Sequence, residues 1–167
     1  MQQDMISRMG SEEAERGPLS RLGADALADD LERIAVGAVG LTTRALAQAD
    51  TGFELTFPQW RALLVVGEEI DGARIGEVAA RVGGTLPATS RLLRRLERRG
   101  LTVLSVDELD RRATRARLTD HGRTVRETIL AHRRAALREV AAALAPSEQR
   151  RLKDGLRAIA AGLEQFA

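Results

Sequence analysis

The sequence predicts a mainly α-helical protein in which long helices at both ends flank a short helical pair and a small β-hairpin. Three observations carry this prediction. Apolar residues recur at alternating intervals of four and three near both termini; Gly83-Gly84 separates two short amphipathic segments; and two short strand-like runs follow Gly100 around a charged loop.

Residues 1–19 have little apolar periodicity and hold Ser11, Glu12, Glu13 and Glu15 ahead of Gly17-Pro18, which predicts a mobile N-terminal tail. Over residues 20–50, Leu27, Leu31, Ile34, Ala38, Leu41 and Ala45 mark one stripe of a long helix ending near Gln48, with Asp50-Thr51-Gly52 as its break. Thr56-Phe57-Pro58 suits a helix start, because Thr accepts backbone N–H bonds and Pro tolerates the first turn. That second helix is expected to reach Ile70 and stop at Asp71-Gly72.

Ile75 to Val82 reads as a third helix with Ile75, Val78, Ala79 and Val82 inward. A fourth runs from Thr85, its cap, through Pro87 in the first turn to Arg99, with Gly100 beyond its end. Two short helices around a tight glycine turn form the helix-turn-helix pattern. Leu101 to Val106 and Thr114 to Leu118 are strand candidates joined by Asp107 to Arg112, so residues 51–118 read as a winged helix-turn-helix domain with a two- or three-stranded β-wing.

Within residues 119–167, Thr119 and Asp120 can cap a long helix to about Ala143, and Pro146-Ser147 opens a last helix to about Phe166. There Leu152, Leu156, Ile159, Leu163 and Phe166 make a heptad seam. Leu27 and Leu31 do the same at the other end, so both terminal regions are expected to serve dimerisation in a homodimer.

Composition narrows the function. The chain is 44% hydrophobic and 30% charged, as folded proteins are, but only 2% aromatic and without Tyr, which disfavours base stacking on exposed rings and leaves duplex nucleic acid as the better ligand. Residues 1–73 carry 6 Arg against 13 acidic residues, residues 74–117 carry 11 against 5, and residues 118–167 carry 9 basic against 6 acidic. A basic middle beside an acidic N-terminal part is what a polyanion-facing subregion looks like, and a merely solvated surface has even odds from charge alone.

The absence of Cys excludes disulfides and thiolate sites, and two histidines, His121 and His132, are too few for a metal site without carboxylate help; no metal and no cofactor is expected. No stretch approaches the ~18 apolar residues of a membrane span, and the first residues lack an apolar signal core, so a cytoplasmic location without membrane contact is expected. An enzyme is disfavoured, since no phosphate loop or nucleophile constellation occurs. Glu68-Glu69 diverge by about 100° on a helix and cannot converge on one substrate.

The candidate DNA-binding residues lie on the fourth helix and the wing. On a helical wheel Thr89, Leu92, Leu93 and Leu96 gather on one side, while Pro87, Arg91, Arg94 and Arg98 oppose them with Ser90 and Arg95 on the flanks. Such a row can bridge phosphates or bind guanine edges bidentately, with Thr85, Pro87 and Ala88 at the N-terminal turn nearest the bases. The competing reading is a solvated face locally paired by Glu97. At the wing, Asp110, Arg111 and Arg112 would form a tip whose Arg enters a minor groove with a nearby Asp holding its guanidinium; a hydrated turn is the stronger alternative on spacing alone. Arg115 and Arg117 face one way from the second strand, toward phosphate or water.

The run Leu55 to Leu64, the Ile75-Gly76-Glu77-Val78-Ala79 helix, the stretch Thr89-Ser90-Arg91 to Gly100-Leu101, and Asp110-Arg111-Arg112 to Leu118-Thr119-Asp120-His121-Gly122 together resemble the MarR family of bacterial regulators, in the family's order and spacing from about Ala24 onward. The resemblance implies a homodimer with intertwined terminal helices, recognition helices in successive major grooves of a pseudo-palindromic operator, and wings in the flanking minor grooves. It maps the family's wing Asp and Arg onto Asp110 and Arg112, and it implies a repressor released by a small aromatic or phenolic effector. Phe53, Phe57, Trp60 and Arg61 stand where the effector cleft would be, with Arg61 as partner for a carboxylate; simple core packing of Phe57 and Trp60 is the weightier alternative.

Two departures stand out. Thr102 to Val106 has no basic residue where the family's first wing strand usually has some, and Ala116 replaces a common Val. A different class of function, a helical interaction module whose basic face meets an acidic protein, is the alternative.

Overall fold

The computed structural model describes residues 18–164. Residues 1–17 of the expected tail, and Phe166 of the C-terminal seam, lie outside the described residues. The elements are α1 (Pro18–Gln48), α2 (Phe57–Val66), β1 (Ala73–Arg74), α3 (Ile75–Val82), α4 (Leu86–Arg98), β2 (Thr102–Val106), β3 (Thr114–Leu118), α5 (Asp120–Ala142) and α6 (Pro146–Glu164). The mainly helical class with a small wing, expected from periodicity, is the observed one.

The chain divides into two compact units at Gly40–Leu41. In the first, the helical stretch of α1 exposes Leu27, Ile34, Val36 and Val39, with Leu31 half-buried. The second unit contains the winged helix. Its core is built from Ala49, Leu55, Trp60, Leu63 and Val66 of α2 and its approach, Ile75 and Val78 of α3, Leu93 and Leu96 of α4, and Leu101, Ala116, Val125 and Ile129 beyond.

Local chemistry sets the helix ends. The Gln59 side chain accepts the Thr56 N–H at 3.0 Å, closing the first turn of α2, where Pro58 has no N–H to lose. Helix α2 stops at Val66, not at Ile70. Gly67 stands at its end, where a Cβ would lie 2.7 Å from Arg126 and Leu118 side-chain atoms, a close approach made by α5 and β3. Gly83, at φ 68°, closes α3 in the left-handed region that favours glycine. Thr85 caps α4 by accepting the Ala88 N–H, and Thr119 caps α5 by accepting the Gly122 N–H at 2.9 Å.

The sheet has three antiparallel strands in the order β1-β3-β2. Strand β1 is only two residues long, with Ala73 opposite Ala116 and Arg74 opposite Arg115. Strand β2 pairs from Thr102 opposite Leu118 to Val106 opposite Thr114, which leaves it at the sheet edge. Among the described residues no helix is long and apolar enough to cross a membrane.

Candidate nucleic-acid interface

Helix α4 turns one face inward and the other out. Thr89, Leu93 and Leu96 are buried and Leu92 is half-buried, while Arg91, Arg94, Arg95 and Arg98 are exposed. Pro87, Ala88 and Thr85 are exposed at its N-terminal end, and Ser90 is half-buried beside them. The four outward arginines make no ion pair among the described residues. Glu97, the local candidate for neutralising them, instead accepts the Leu104 backbone N–H of β2 at 2.9 Å. The outer face of α4 is therefore a row of guanidinium groups that make no ion pair among the described residues, with Glu97 beside them turned to the β2 backbone.

The wing tip is ordered by its own backbone. Asp107 N–H donates to the Ala113 carbonyl at 3.0 Å, and Ala113 N–H to that of Asp110 at 2.8 Å, which folds residues 107–113 into a tight hairpin end. Arg111 and Arg112 are exposed there. Asp110 does not hold a guanidinium: its carboxylate accepts the backbone N–H of Arg112 at 3.0 Å. A cleft of about 510 Å³ lies between wing and helix pair, bordered by Arg74, Ser90, Asp110 and Arg112.

The carboxylate that does hold arginines is Asp107, which sequence reasoning passed over as one more loop acid. It is 2% exposed. Its Oδ2 accepts from Arg74 Nε at 3.1 Å and Arg115 Nε at 2.9 Å; its Oδ1 accepts from Arg74 at 3.1 Å and from the backbone N–H groups of Leu109 and Asp110, each at 3.0 Å. The hydrogen bond from Arg74 holds the Asp107 carboxyl well below the usual carboxylate range, outweighing the opposing effect of burial, with the Asp110, Arg115 and Leu109 bonds adding to it. Reciprocally, Asp107 raises the Arg74 guanidinium. Arg115, expected to face DNA, also donates to the Gly72 carbonyl at 2.6 Å, so its guanidinium is engaged within the subunit. Arg117 donates to the Asp71 carbonyl.

The four residues expected at an effector cleft separate. Phe53 and Phe57 line a cleft of about 740 Å³ with Thr43, Leu46, Ala47 and Leu55. Trp60 is 1% exposed and belongs to the core, and Arg61 donates to the Arg81 carbonyl at 2.7 Å; neither borders the cleft. Sequence reasoning missed Arg99, whose guanidinium lies over the Phe53 ring, and His121, whose ring meets Phe53 edge-on at 6.1 Å.

Of the residues expected at a subunit contact, Leu27, Leu152, Leu156 and Leu163 are exposed, and Leu31 and Ile159 are half-buried. Each terminal helix thus carries a row of apolar residues that are exposed or half-buried.

Residues 53–113 match the model of the MarR family. The chain is 25% identical over 111 residues to the HTH-type transcriptional regulator YfiV of Bacillus subtilis (strain 168), covering 66% of this chain and 69% of that protein. Its fold matches a MarR family protein from Bacillus stearothermophilus with a TM-score of 0.72 at 26% identity, over 84% of this chain and 95% of that one. It also matches CouR of Rhodococcus jostii RHA1, solved with p-coumaroyl-CoA bound, with a TM-score of 0.62 at 27% identity, over 82% and 93% of the two chains. The winged helix, the spacing of its motifs and these likenesses agree: residues 53–113 carry the MarR-family match, and the chain is similar in sequence and fold to winged helix-turn-helix transcriptional regulators of that family.

Proposed function

We propose that this protein is a sequence-specific repressor that binds double-stranded DNA as a homodimer, without catalysis, in the cytoplasm. The observation that carries the reading is the outer face of α4, with Arg91, Arg94, Arg95 and Arg98 exposed and making no ion pair among the described residues. A row of exposed guanidinium groups on a helix with Thr85, Pro87 and Ala88 at its N-terminal end suits the major groove, where arginine reads guanine edges and phosphates. Arg111 and Arg112 then reach the adjacent minor groove from the wing, while Arg115 serves the wing from within.

The terminal apolar rows, Leu27 and Leu31 in α1 and Leu152, Leu156, Ile159 and Leu163 in α6, supply the contact to a second copy, and two-fold symmetry would make the operator pseudo-palindromic. The cleft of Phe53 and Phe57 is assigned to a small aromatic effector; the likeness to CouR supports that assignment, and its volume of about 740 Å³ is ample. A carboxylate on that effector would not meet Arg61, which points elsewhere.

Selection of bound sequences from random duplex DNA with the purified full chain tests the reading. A palindromic consensus with half-sites about one helical turn apart is the expected result. Recovery of no consensus, together with binding that ignores duplex DNA, would instead favour an acidic protein partner.

A further inference from the structure

We propose that Asp107 is a positioning residue for DNA recognition: one buried carboxylate locks the wing tip and β3 to the start of α3, so that wing and recognition helix engage the duplex as a single rigid unit. The inference rests on the DNA-binding reading above and adds a residue that touches no base or phosphate.

The register creates the problem that Asp107 solves. Pairing of β1 with β3 sets Arg74 directly opposite Arg115, and like charges at facing strand positions repel. Asp107 enters between them from the end of β2 and accepts from both guanidinium groups at 2.9–3.1 Å. The same carboxylate takes the N–H groups of Leu109 and Asp110, which lie in the wing tip. Three chain segments thus converge on one group: the tip that carries Arg111 and Arg112, the strand β3 that supports it, and Arg74.

Arg74 is the link to the recognition pair. It immediately precedes α3, its backbone N–H donates to Glu77 in that helix at 2.9 Å, and Gly83-Gly84 then lead directly to α4. A buried carboxylate bonded on both oxygens has little freedom, because every rotation breaks several charge-assisted bonds at once. Beyond it, β1 contributes only two residues to the sheet, too few to fix the wing angle by backbone pairing alone.

Coupling between wing and helix is what a locking residue supplies and what a merely stabilising one does not. The test is a double-mutant cycle on the full chain, with the tightest duplex from the random selection as probe, titrated at fixed salt. In the parent background, Arg112→Ala should weaken binding about tenfold. In an Asp107→Asn background, with folding checked by circular dichroism, the same Arg112→Ala change should cost less than about twofold, since the wing no longer sits where Arg112 can contribute. If Asp107→Asn fails to fold, Arg74→Gln takes its place, because it leaves Asp107 paired with Arg115 while removing the tie to α3; the same shrinkage of the Arg112→Ala effect is expected. An undiminished tenfold loss in the variant background would overturn the proposal while leaving DNA binding intact. A parent that binds no duplex at all would overturn both readings.

Discussion

The guanidinium of Arg99 lies 5.4 Å from the centre of the Phe53 ring, over its face, and its Nη1 donates to the Glu54 carbonyl at 2.8 Å. Arg99 caps the C-terminal end of α4, whereas Phe53 and Glu54 line the cleft assigned to an effector. The rim of the cleft is therefore tied to the end of α4 by one side chain. Arg99→Ala should lower stability by about 1–2 kcal/mol, combining a cation–π contact with one hydrogen bond to a charged donor. Urea unfolding measures it, and an unchanged midpoint would mean that this tie carries no weight.

Removing charge from the outer face of α4 should act on binding and not on folding. Arg94→Ala and Arg98→Ala leave the buried Leu93 and Leu96 untouched, so melting temperatures should stay within a degree or two of the parent. DNA affinity should fall for each, and the slope of log affinity against log salt should drop by about 1 for each phosphate that is no longer neutralised. Unchanged affinity in a gel-shift titration would reject this face as the docking surface.

Asp107 makes stability depend on acid. Its folded pKa lies below its ordinary value of 3.8, so its contribution is complete above the ordinary carboxylate range and is lost as pH falls through the folded value. The stability difference between the parent and Asp107→Asn should therefore be constant above about pH 5 and shrink progressively below it. Denaturant titrations across a pH series read this directly; a gap that widens toward acid would contradict the charge arrangement described.

Gly122 is required by proximity. A Cβ at this position in the first turn of α5 would stand 2.0 Å from the Leu101 carbonyl oxygen, a backbone atom that cannot step aside. Gly122→Ala should cost about 3 kcal/mol or prevent folding, as overpacking against backbone does. Gly76→Ala in α3, where nothing lies within 4 Å of the added carbon, should change stability by less than about 1 kcal/mol. Equal effects of the two changes in thermal melts would refute this packing.

Charges placed in the α6 seam should separate the subunits of the proposed homodimer. Leu156 is exposed in the single chain and Ile159 half-buried, so Leu156→Asp with Ile159→Asp should leave the core of the winged helix folded while lowering the sedimentation coefficient to that of a monomer. A doubly substituted protein that still sediments as a folded dimer would remove α6 from the interface.

Much of this architecture is written locally. The intervals of Thr89, Leu93 and Leu96 against Arg91, Arg94 and Arg98 orient α4 without reference to any other element, because a helix turns by a fixed angle per residue and water rejects leucine while accepting arginine. Thr56, Thr85 and Thr119 mark helix starts by chemistry confined to three or four neighbouring residues. Strand β3 and the starts of α3 and α5 are legible for similar reasons.

What the tertiary structure alone decided involves partners far apart in the chain. The close approach to Gly67 at the end of α2 is made by Arg126 and Leu118, arriving from α5 and β3. The role of Asp107 depends on Arg74, which precedes it by 33 positions, and on a two-residue strand with no sequence signature. In the sequence Asp107 and Asp110 look alike, one loop acid and another; burial among arginines distinguishes them. Local periodicity and capping report the face and ends of an element, because those forces act within a turn. Which charges meet in the interior depends on how elements pair, and that is a property of the assembled fold.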